Sequence, residues 1–376
     1  MTTEKHANLR KSLVPAQKAD TMIDTVVIGA GQSGLTAAET LTRHGISPVV
    51  LEAGNEPVGS WPHYYDSLTL FSPAQHSAIP GLEFPGDPDH YPHRDEVVAY
   101  LSRYATTLDA DIRTNPPVTH VEAHPDTGFL IHTATGDTLH TVSIVAATGS
   151  FANPHTPDLP GQDQFTGTTI HAADYRTPKP FAGQRVIVVG AGNSAVQIAY
   201  ELTDHATVTL AARHPINFLP QRRNDRDVHH WLVNSGFDLL PPEWLVRYVG
   251  ATLVMDTGDY QHALDTGRLD YRPMFTHYDT DAVVWADGTR EPVDAIIFAT
   301  GYRPNLGYLT PLDALDNGLP LHTAGISITH PGLVYVGLEF QRSFSSNTLR
   351  GAQRDADYVI TALAAHTRKA PAAVGL

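Results

Sequence analysis

The sequence predicts an α/β protein made of two Rossmann-like dinucleotide-binding domains, the second inserted into the first. Three observations carry this. A glycine-rich turn, Gly29-x-Gly31-x-x-Gly34, stands between an apolar β-type run and a helical run. A second turn, Gly190-x-Gly192-x-x-Ala195, repeats that arrangement. Two apolar strands end in the same tripeptide, Ala147-Thr148-Gly149 and Ala299-Thr300-Gly301, where the chain would cross between domains. The expected boundaries are 21–155 plus 303–368 for the outer domain and 165–301 for the inserted one. Residues 1–20, polar and aperiodic, read as a loose N-terminal tail.

The first unit spans Thr25 to Glu52 and reads strand, glycine turn, helix, strand. Gly29 permits the tight turn, Gly31 lets a pyrophosphate approach the backbone, and Gly34 lets helix and strand pack closely. The phosphates would sit at the helix N-terminus, where free N–H groups and the macrodipole favour negative charge. Glu52, at the end of the second strand, would accept hydrogen bonds from an adenosine ribose. The stretch after it, rich in Gly, Pro, Ser and aromatic residues, is a long loop placed where a doubly wound sheet keeps its ligand. Within it, Gly59-Ser60-Trp61 could lay backbone and an indole against a flat cofactor.

A helix is expected from Asp95, as N-cap, to Leu108, with Val98, Leu101, Ala105 and Leu108 on one face. Val118 to Val145 reads as a three-stranded meander with turns at Thr127-Gly128 and Gly136-Asp137. Pro154, Pro157 and Pro160 mark a linker. In the second fingerprint the helix runs to about Thr203 and the next strand ends at Arg213. The offset from Gly29 to Glu52 is 23 positions, and that from Gly190 to Arg213 is also 23. An acid at that position suits a free ribose hydroxyl, whereas an arginine suits a 2′-phosphate. The first site therefore fits FAD or NAD, and the second fits NADPH rather than NADH.

Residues 214–280 are less legible. His229-His230 and His90-x-x-His93 read as surface or packing residues, and no metal site is assigned. Then come a hairpin over Asp287-Gly288, a buried strand into Ala299-Thr300-Gly301, a strand in LVYVGLEF, and a helix from about Thr348 to His366. That helix would start near Ser346 and Asn347 and point at an electron-rich ring edge such as flavin N1/C2=O.

Composition narrows the partners. Forty acidic against 25 basic residues give a net charge of −15, which argues against nucleic acid and anionic membrane as partners. There is no cysteine, so disulfide, thiolate-metal and dithiol redox chemistry are excluded. Without an apolar run of membrane-spanning length or a signal core, the expectation is a soluble cytoplasmic protein.

Between the two fingerprints lies Phe165-x-Gly167-x-x-x-His171-x-x-x-Tyr175. With GAGQSG, GAGNSA and ATGYRPN around it, the chain resembles the class B flavin-dependent monooxygenases over Thr25 to about Ile360. Tyr175-Arg176 departs from the Trp-Pro of the Baeyer–Villiger version. The loop DSLTLFSPAQHSAIPG looks like the short bacterial branch found with arsenic operons and cation-efflux systems, and the plant auxin-forming enzymes are similar in layout. The animal-type branch has an active-site Asn where this chain has Leu70-Phe71-Ser72-Pro73, so amine or sulfide specificity is not carried over.

The resemblance implies an FAD domain and an inserted NADPH domain. NADPH would reduce FAD, O2 would give a C4a-(hydro)peroxyflavin, and one oxygen atom would pass to a small organic or heteroatom (N, S or As) substrate. It places Gly29, Gly31, Ser33, Gly34, Glu52, Gly59, Ser60, Trp61, Ser72, Gln75, Val118, Thr148 and Gly149 toward FAD, with Ser346 and Asn347. It places Gly190, Gly192, Asn193, Ser194 and Arg213 toward NADPH, with Thr300 and Gly301 at the second crossing. His171 would couple domain movement to nicotinamide placement. A homodimer is the candidate assembly. The alternative is a reductase or oxidase of the same fold passing electrons to O2, a quinone or a carrier. A third reading is a non-catalytic nucleotide-bound regulator.

Overall fold

The structure is a computed structural model that describes residues 22–245, 247–248 and 253–369. The expected N-terminal tail lies outside the described residues. The first sheet grows from β1 (Ile23–Ile28), paired in parallel with β2 (Val49–Glu52) on one side and β6 (Thr138–Ala146) on the other. Beyond β2 lies β3 (Asp111–Thr114), which the sequence reading missed, and beyond β6 lies the strand Leu333–Tyr335, both parallel. Val26, Val27, Ile144 and Val145 are fully buried because both faces of this sheet are covered. Helix α1 (Gln32–Arg43) and the C-terminal helix (Ala352–Lys369) pack on one face. The other face is covered by β4 (Val118–Ala123), β5 (Phe129–Thr133) and the turn Gly307–Leu312. β4, β5 and β6 form the expected meander.

The second sheet has five parallel strands: Asp270–Pro273, β9 (Thr207–Ala212), β8 (Arg185–Val189), Ala295–Phe298 and β7 (Thr168–His171), in that spatial order. Helix α3 (Asn193–Leu202) follows its glycine turn. The internal repeat extends to single hydrogen bonds. Gly29 N–H donates to Leu51 C=O at 2.7 Å, and Gly190 N–H donates to Ala211 C=O at 2.9 Å. Ala147 N–H donates to Ile28 C=O at 2.9 Å, and Ala299 N–H donates to Val189 C=O at 2.8 Å. The hairpin over Asp287-Gly288 joins Ala282–Val284 to Arg290–Pro292. Among the described residues no helix is long and apolar enough to cross a membrane.

Three expected elements shift. Helix α2 spans Arg94–Ala105, and His93, not Asp95, is its N-cap. Glu96 accepts the His93 N–H at 2.8 Å, which fixes the start two residues earlier, and the helix buries Val97, Tyr100, Leu101, Tyr104 and Ala105. The C-terminal helix begins at Ala352, four residues later than read, because 341–351 turns on its own hydrogen bonds. In LVYVGLEF only Leu333–Tyr335 is strand.

The stretch 214–256 clamps the long loop. Asp227 is buried and accepts from Tyr91 Oη at 2.6 Å, Gln221 Nε2 at 2.8 Å, and both the backbone N–H and the ring Nδ1 of His229 at 2.7 Å. Gln221 also donates to Phe71 C=O at 2.8 Å, and the His229 ring stacks on Phe71. His229 is fully buried, in keeping with a packing role, whereas His230 is half-buried. Burial alone would raise the Asp227 pKa, but these hydrogen bonds outweigh it and hold the carboxyl below its ordinary value. A carboxylate with a depressed folded-state pKa stabilises above the ordinary carboxylate range and loses that contribution as pH falls through the folded value. Asp227→Asn should therefore lower unfolding free energy by roughly 1.5–3 kcal/mol near neutral pH. Urea titrations should find the deficit unchanged down to about pH 5 and shrinking below about pH 4. A deficit independent of pH would remove the charge from this account.

Candidate active site

A cleft of about 660 Å³ opens at the carboxyl ends of β1 and β2, where an open α/β sheet holds its ligand. Gly29, Gly31, Ser33, Glu52, Gly59, Ser60, Trp61, Val118, Thr148, Gly149 and Asn347 line it. Gly34 lies beneath the turn: a Cβ there would stand 1.8 Å from Gly29 C=O, so α1 could not seat against β1. Gly59, at φ +60°, approaches Gly31 so closely that a Cβ would come within 2.7 Å of Gly31 Cα, which narrows the cleft over the turn.

Glu52 is nearly enclosed. Its two oxygens accept the N–H of Ala30 at 2.7 Å and of Gly54 at 2.9 Å. The carboxylate therefore braces the glycine turn, and its remaining lone pairs face the cleft. Helix α1 carries no acidic residue in its first turn. A narrow channel, a helix N-terminus for a diphosphate and a carboxylate for ribose hydroxyls are the donor set that FAD requires, so the residues fit it.

The mouth of the cleft is bracketed by a relay missed in the sequence. Trp61 Nε1–H donates to Gln32 Oε1 at 2.9 Å, and Gln32 Nε2 donates to Asn347 C=O at 3.2 Å. Glu339 also lines the cleft. Neither residue has a sequence signal, since their contacts lie between distant segments. Ser72, Gln75 and Ser346 are turned elsewhere. Ser72 Oγ bonds Ser77 Oγ at 2.8 Å, and Gln75 Nε2 donates to Asp89 Oδ1 at 2.7 Å. Ser346 Oγ accepts the N–H groups of Arg342 and Ser343, both at 3.0 Å, and the C-terminal helix does not begin beside it.

At the second glycine turn, Gly192 caps α3, and Ser194 lies in that helix's first turn, which again has no acidic residue. The Asn193 amide is not free: Nδ2 donates to Leu253 C=O at 3.2 Å and Oδ1 accepts Met255 N–H at 3.0 Å. Its side chain ties α3 to the strand Leu253–Asp256, leaving only its backbone N–H to the turn. Arg213 is exposed just beyond β9, with no ion-pair partner among the described residues.

The two crossings lie side by side. Thr148 Oγ1 donates to Asn305 C=O at 2.6 Å, Asn305 N–H to Gly149 C=O at 2.8 Å, and Arg303 N–H to Asn153 C=O at 2.9 Å. His155 N–H donates to Gly301 C=O at 3.0 Å, and the Thr300 hydroxyl donates to His155 C=O. His171, at the end of β7, is buried against this junction. Ala173 N–H donates to its Nδ1 at 3.1 Å, so the ring proton sits on Nε2 and is donated to Gly301 C=O at 3.1 Å. Burial lowers the His171 pKa, against the opposing pull of that carbonyl, which keeps the ring neutral. The ring meets Tyr302 edge-on at 4.9 Å, Tyr302 stacks on Phe151, and tilted aromatic contacts continue through Tyr64 to Trp61. Tyr64, Phe151 and Tyr302 line the cleft, so the motif histidine reaches its wall through aromatic contacts. At the motif's end, Tyr175 donates to Glu201 Oε2 at 2.8 Å on α3.

Comparison with known proteins agrees with this geometry. Residues 26–234 match the family described as pyridine nucleotide-disulphide oxidoreductase. An uncharacterized CzcO-like oxidoreductase of Geobacillus kaustophilus is 29% identical over 92% of this chain and 99% of its own length. The indole-3-pyruvate monooxygenase YUCCA1 of Oryza sativa is 31% identical over 75% of this chain and 77% of its own. The solved flavin-containing monooxygenase of Stenotrophomonas maltophilia is 32% identical and superposes with a TM-score of 0.79, covering 92% of this chain and 99% of that one. Two glycine turns seated at matching strand ends, a cleft shaped for FAD and these relatives lead to one conclusion: the chain belongs to the class B flavin-dependent monooxygenases, enzymes that use FAD and NADPH.

Proposed function

We propose that residues 21–155 with 303–368 seat FAD, that residues 165–301 seat NADPH, and that the enzyme works by the C4a-(hydro)peroxyflavin route. One atom of O2 passes to a small organic or heteroatom (N, S or As) substrate. The observation that supports this best is the laced junction of the two crossings, which sets the two glycine-turn units side by side with the neutral His171 at the seam. Bound flavin supplies hydride acceptance and oxygen activation, and the chain's residues bind, orient and exclude water. With no cysteine in the sequence, no dithiol can accept electrons from flavin as the family's disulphide branch requires.

In this reading Glu52 and the α1 N-terminus hold the adenosine diphosphate moiety, and the Trp61–Gln32–Asn347 relay closes the mouth. Arg213 takes the 2′-phosphate of NADPH. His171 is a positioning residue, holding Gly301 so that the inserted domain presents its coenzyme in register. Leu70-Phe71-Ser72-Pro73 offers no counterpart of the animal-type active-site Asn, and the Phe71 ring stacks on His229. We also assign a cytoplasmic homodimer, to be checked by light scattering of the purified protein.

The purified protein should be yellow. With 18O2 and NADPH, a panel of sulfides, amines, trivalent arsenicals and the 2-oxo acid of the rice relative should give a product carrying one labelled oxygen atom. If every substrate leaves all reducing equivalents as hydrogen peroxide, the oxidase reading replaces this one.

Arg213→Ala should raise the KM for NADPH by the equivalent of about 1–3 kcal/mol while barely moving that for NADH. An unchanged NADPH KM rejects the phosphate assignment. His171→Ala should slow flavin reduction by NADPH about tenfold or more with FAD still bound, since small misplacements of a reacting pair cost on that order. Loss of FAD instead would make His171 a purely structural residue.

A further inference from the structure

The outward face of the β4–β5 hairpin carries a ligand group unconnected with the cofactor cleft. His120 and His132 are cross-strand partners whose rings stack at 4.1 Å and 9°. Glu122 lies two residues beyond His120 on the same face, and its Oε1 is 2.9 Å from His132 Nε2. One donor atom from each of these three side chains lies within 4.8 Å of the other two. The group is open to solvent: the His132 side chain is 24% exposed and that of Glu122 is 48% exposed. An irregularity in the strand pairing between Val118 and His120 precedes the group, and His120 and Glu122 flank the buried Val121.

Two threonine hydroxyls orient the imidazoles from behind. Thr119 Oγ1 donates its single proton to His132 C=O at 3.1 Å. Its 3.2 Å contact with His120 Nδ1 is therefore an N–H donated by the ring, and His120 carries a lone pair on Nε2. Thr138 Oγ1 is 3.0 Å from His132 Nδ1 and can either donate or accept there. While His132 Nε2–H donates to Glu122, Thr138 donates to Nδ1. When a cation takes Nε2, the ring proton moves to Nδ1 and Thr138 accepts it. Outer hydrogen bonds of this kind fix the tautomer of metal-ligating histidines.

We infer that His120, Glu122 and His132 form a site for a first-row divalent transition cation such as Zn2+ or Cu2+, one imidazole turning out of the stack on binding so that both in-plane lone pairs reach the ion. Two imidazole nitrogens and one carboxylate oxygen suit these ions and not Mg2+ or Ca2+, and the open side leaves a position for water. The neighbouring pair, His124 and His140, stacks at 4.0 Å but gathers no third ligand group among the described residues. His140 Nε2 donates to Thr127 C=O at 2.9 Å, and His124 Nδ1 accepts the N–H groups of Asp126 and Thr127. It serves as an internal control.

The test titrates Zn2+ into the FAD-loaded, tag-free full chain by calorimetry. Saturable uptake of one equivalent is expected. Its Kd should rise about 10–100-fold in His132→Gln and in Glu122→Gln, at least the loss that follows removal of an outer-sphere partner. It should be unchanged in His124→Gln, and flavin content and circular dichroism should report intact folding throughout. Electron paramagnetic resonance of Cu2+-loaded protein should resolve coupling to two nitrogens, falling to one in His132→Gln. No saturable uptake, uptake indifferent to His132→Gln and Glu122→Gln, or uptake lost in His124→Gln would each overturn the assignment.

Discussion

The structure depends on a short seam of hydrogen bonds where the chain passes twice between its two sheets. Each crossing leaves a parallel strand through an Ala-Thr-Gly end, and each would have unpaired backbone groups if it ran alone. Side by side they satisfy one another, from Thr148 with Asn305 to His155 with Gly301. Each bond contributes only about 0.5–1.5 kcal/mol net, so the seam aligns the halves without welding them. Narrow polar connections between independently cored bodies are where domains move relative to one another. His171 is built into that seam. Its Nε2–H is spent on Gly301 C=O and its Nδ1 on Ala173 N–H, so rotation of the inserted sheet must break or carry both bonds.

Around the seam, the cleft walls are loops held by buried charge. Asp227 gathers Tyr91, Gln221 and His229 behind Phe71. Asp238 receives Arg350 at 2.8 and 2.9 Å and Arg354 at 3.2 Å, which joins the 214–256 stretch to the turn before the C-terminal helix and to that helix's first turn. Burial alone would raise the Asp238 pKa, and the two guanidinium groups hold it low instead. Removing one member of such a set leaves an uncompensated buried charge, which is costly. An apolar plug could fill the same volume, but it would not fix the direction of each loop. Tyr65 adds a further tie, donating to Gln197 Oε1 on α3 at 2.6 Å, so the long loop of the first body is anchored on the second.

What could be read from the sequence follows from the range of the forces involved. The βαβ units were legible because their glycines answer local steric demands. Gly34 faces Gly29 C=O five residues away. The meander was legible because alternation and turn residues are also local. The start of α2 was missed because the Glu96–His93 bond competes with a better-looking cap at Asp95. Gln32 and the Tyr91–Asp227 contact were missed because their partners lie tens to hundreds of residues away. Asn193 was given to a coenzyme, but its amide serves the strand at 253–256. The histidines at 120 and 132 looked unrelated until strand pairing set them face to face.

The two glycine turns differ in one decisive way, and the difference is electrostatic. Both open helices without an acidic residue in the first turn, so both present the positive end of a helix to a diphosphate. At the first, Glu52 lies buried with each oxygen accepting a backbone N–H, from Ala30 and from Gly54. Its charge is thus already compensated, and it can meet ribose hydroxyls without repelling the phosphates a few ångströms on. A 2′-phosphate there would face a fixed carboxylate in a low-dielectric wall, an interaction that costs far more than in water. At the second turn the equivalent position is Arg213, exposed and without an acidic neighbour in contact among the described residues. A cation on a long, solvated side chain can fold onto a phosphate and loses little when none is present. In the proposed assignment, the braced acid disfavours a 2′-phosphate at the first turn, and the exposed arginine offers a cation for one at the second. Exchanging Glu52 for arginine alone would not interchange the sites, because it would also remove the brace under Ala30.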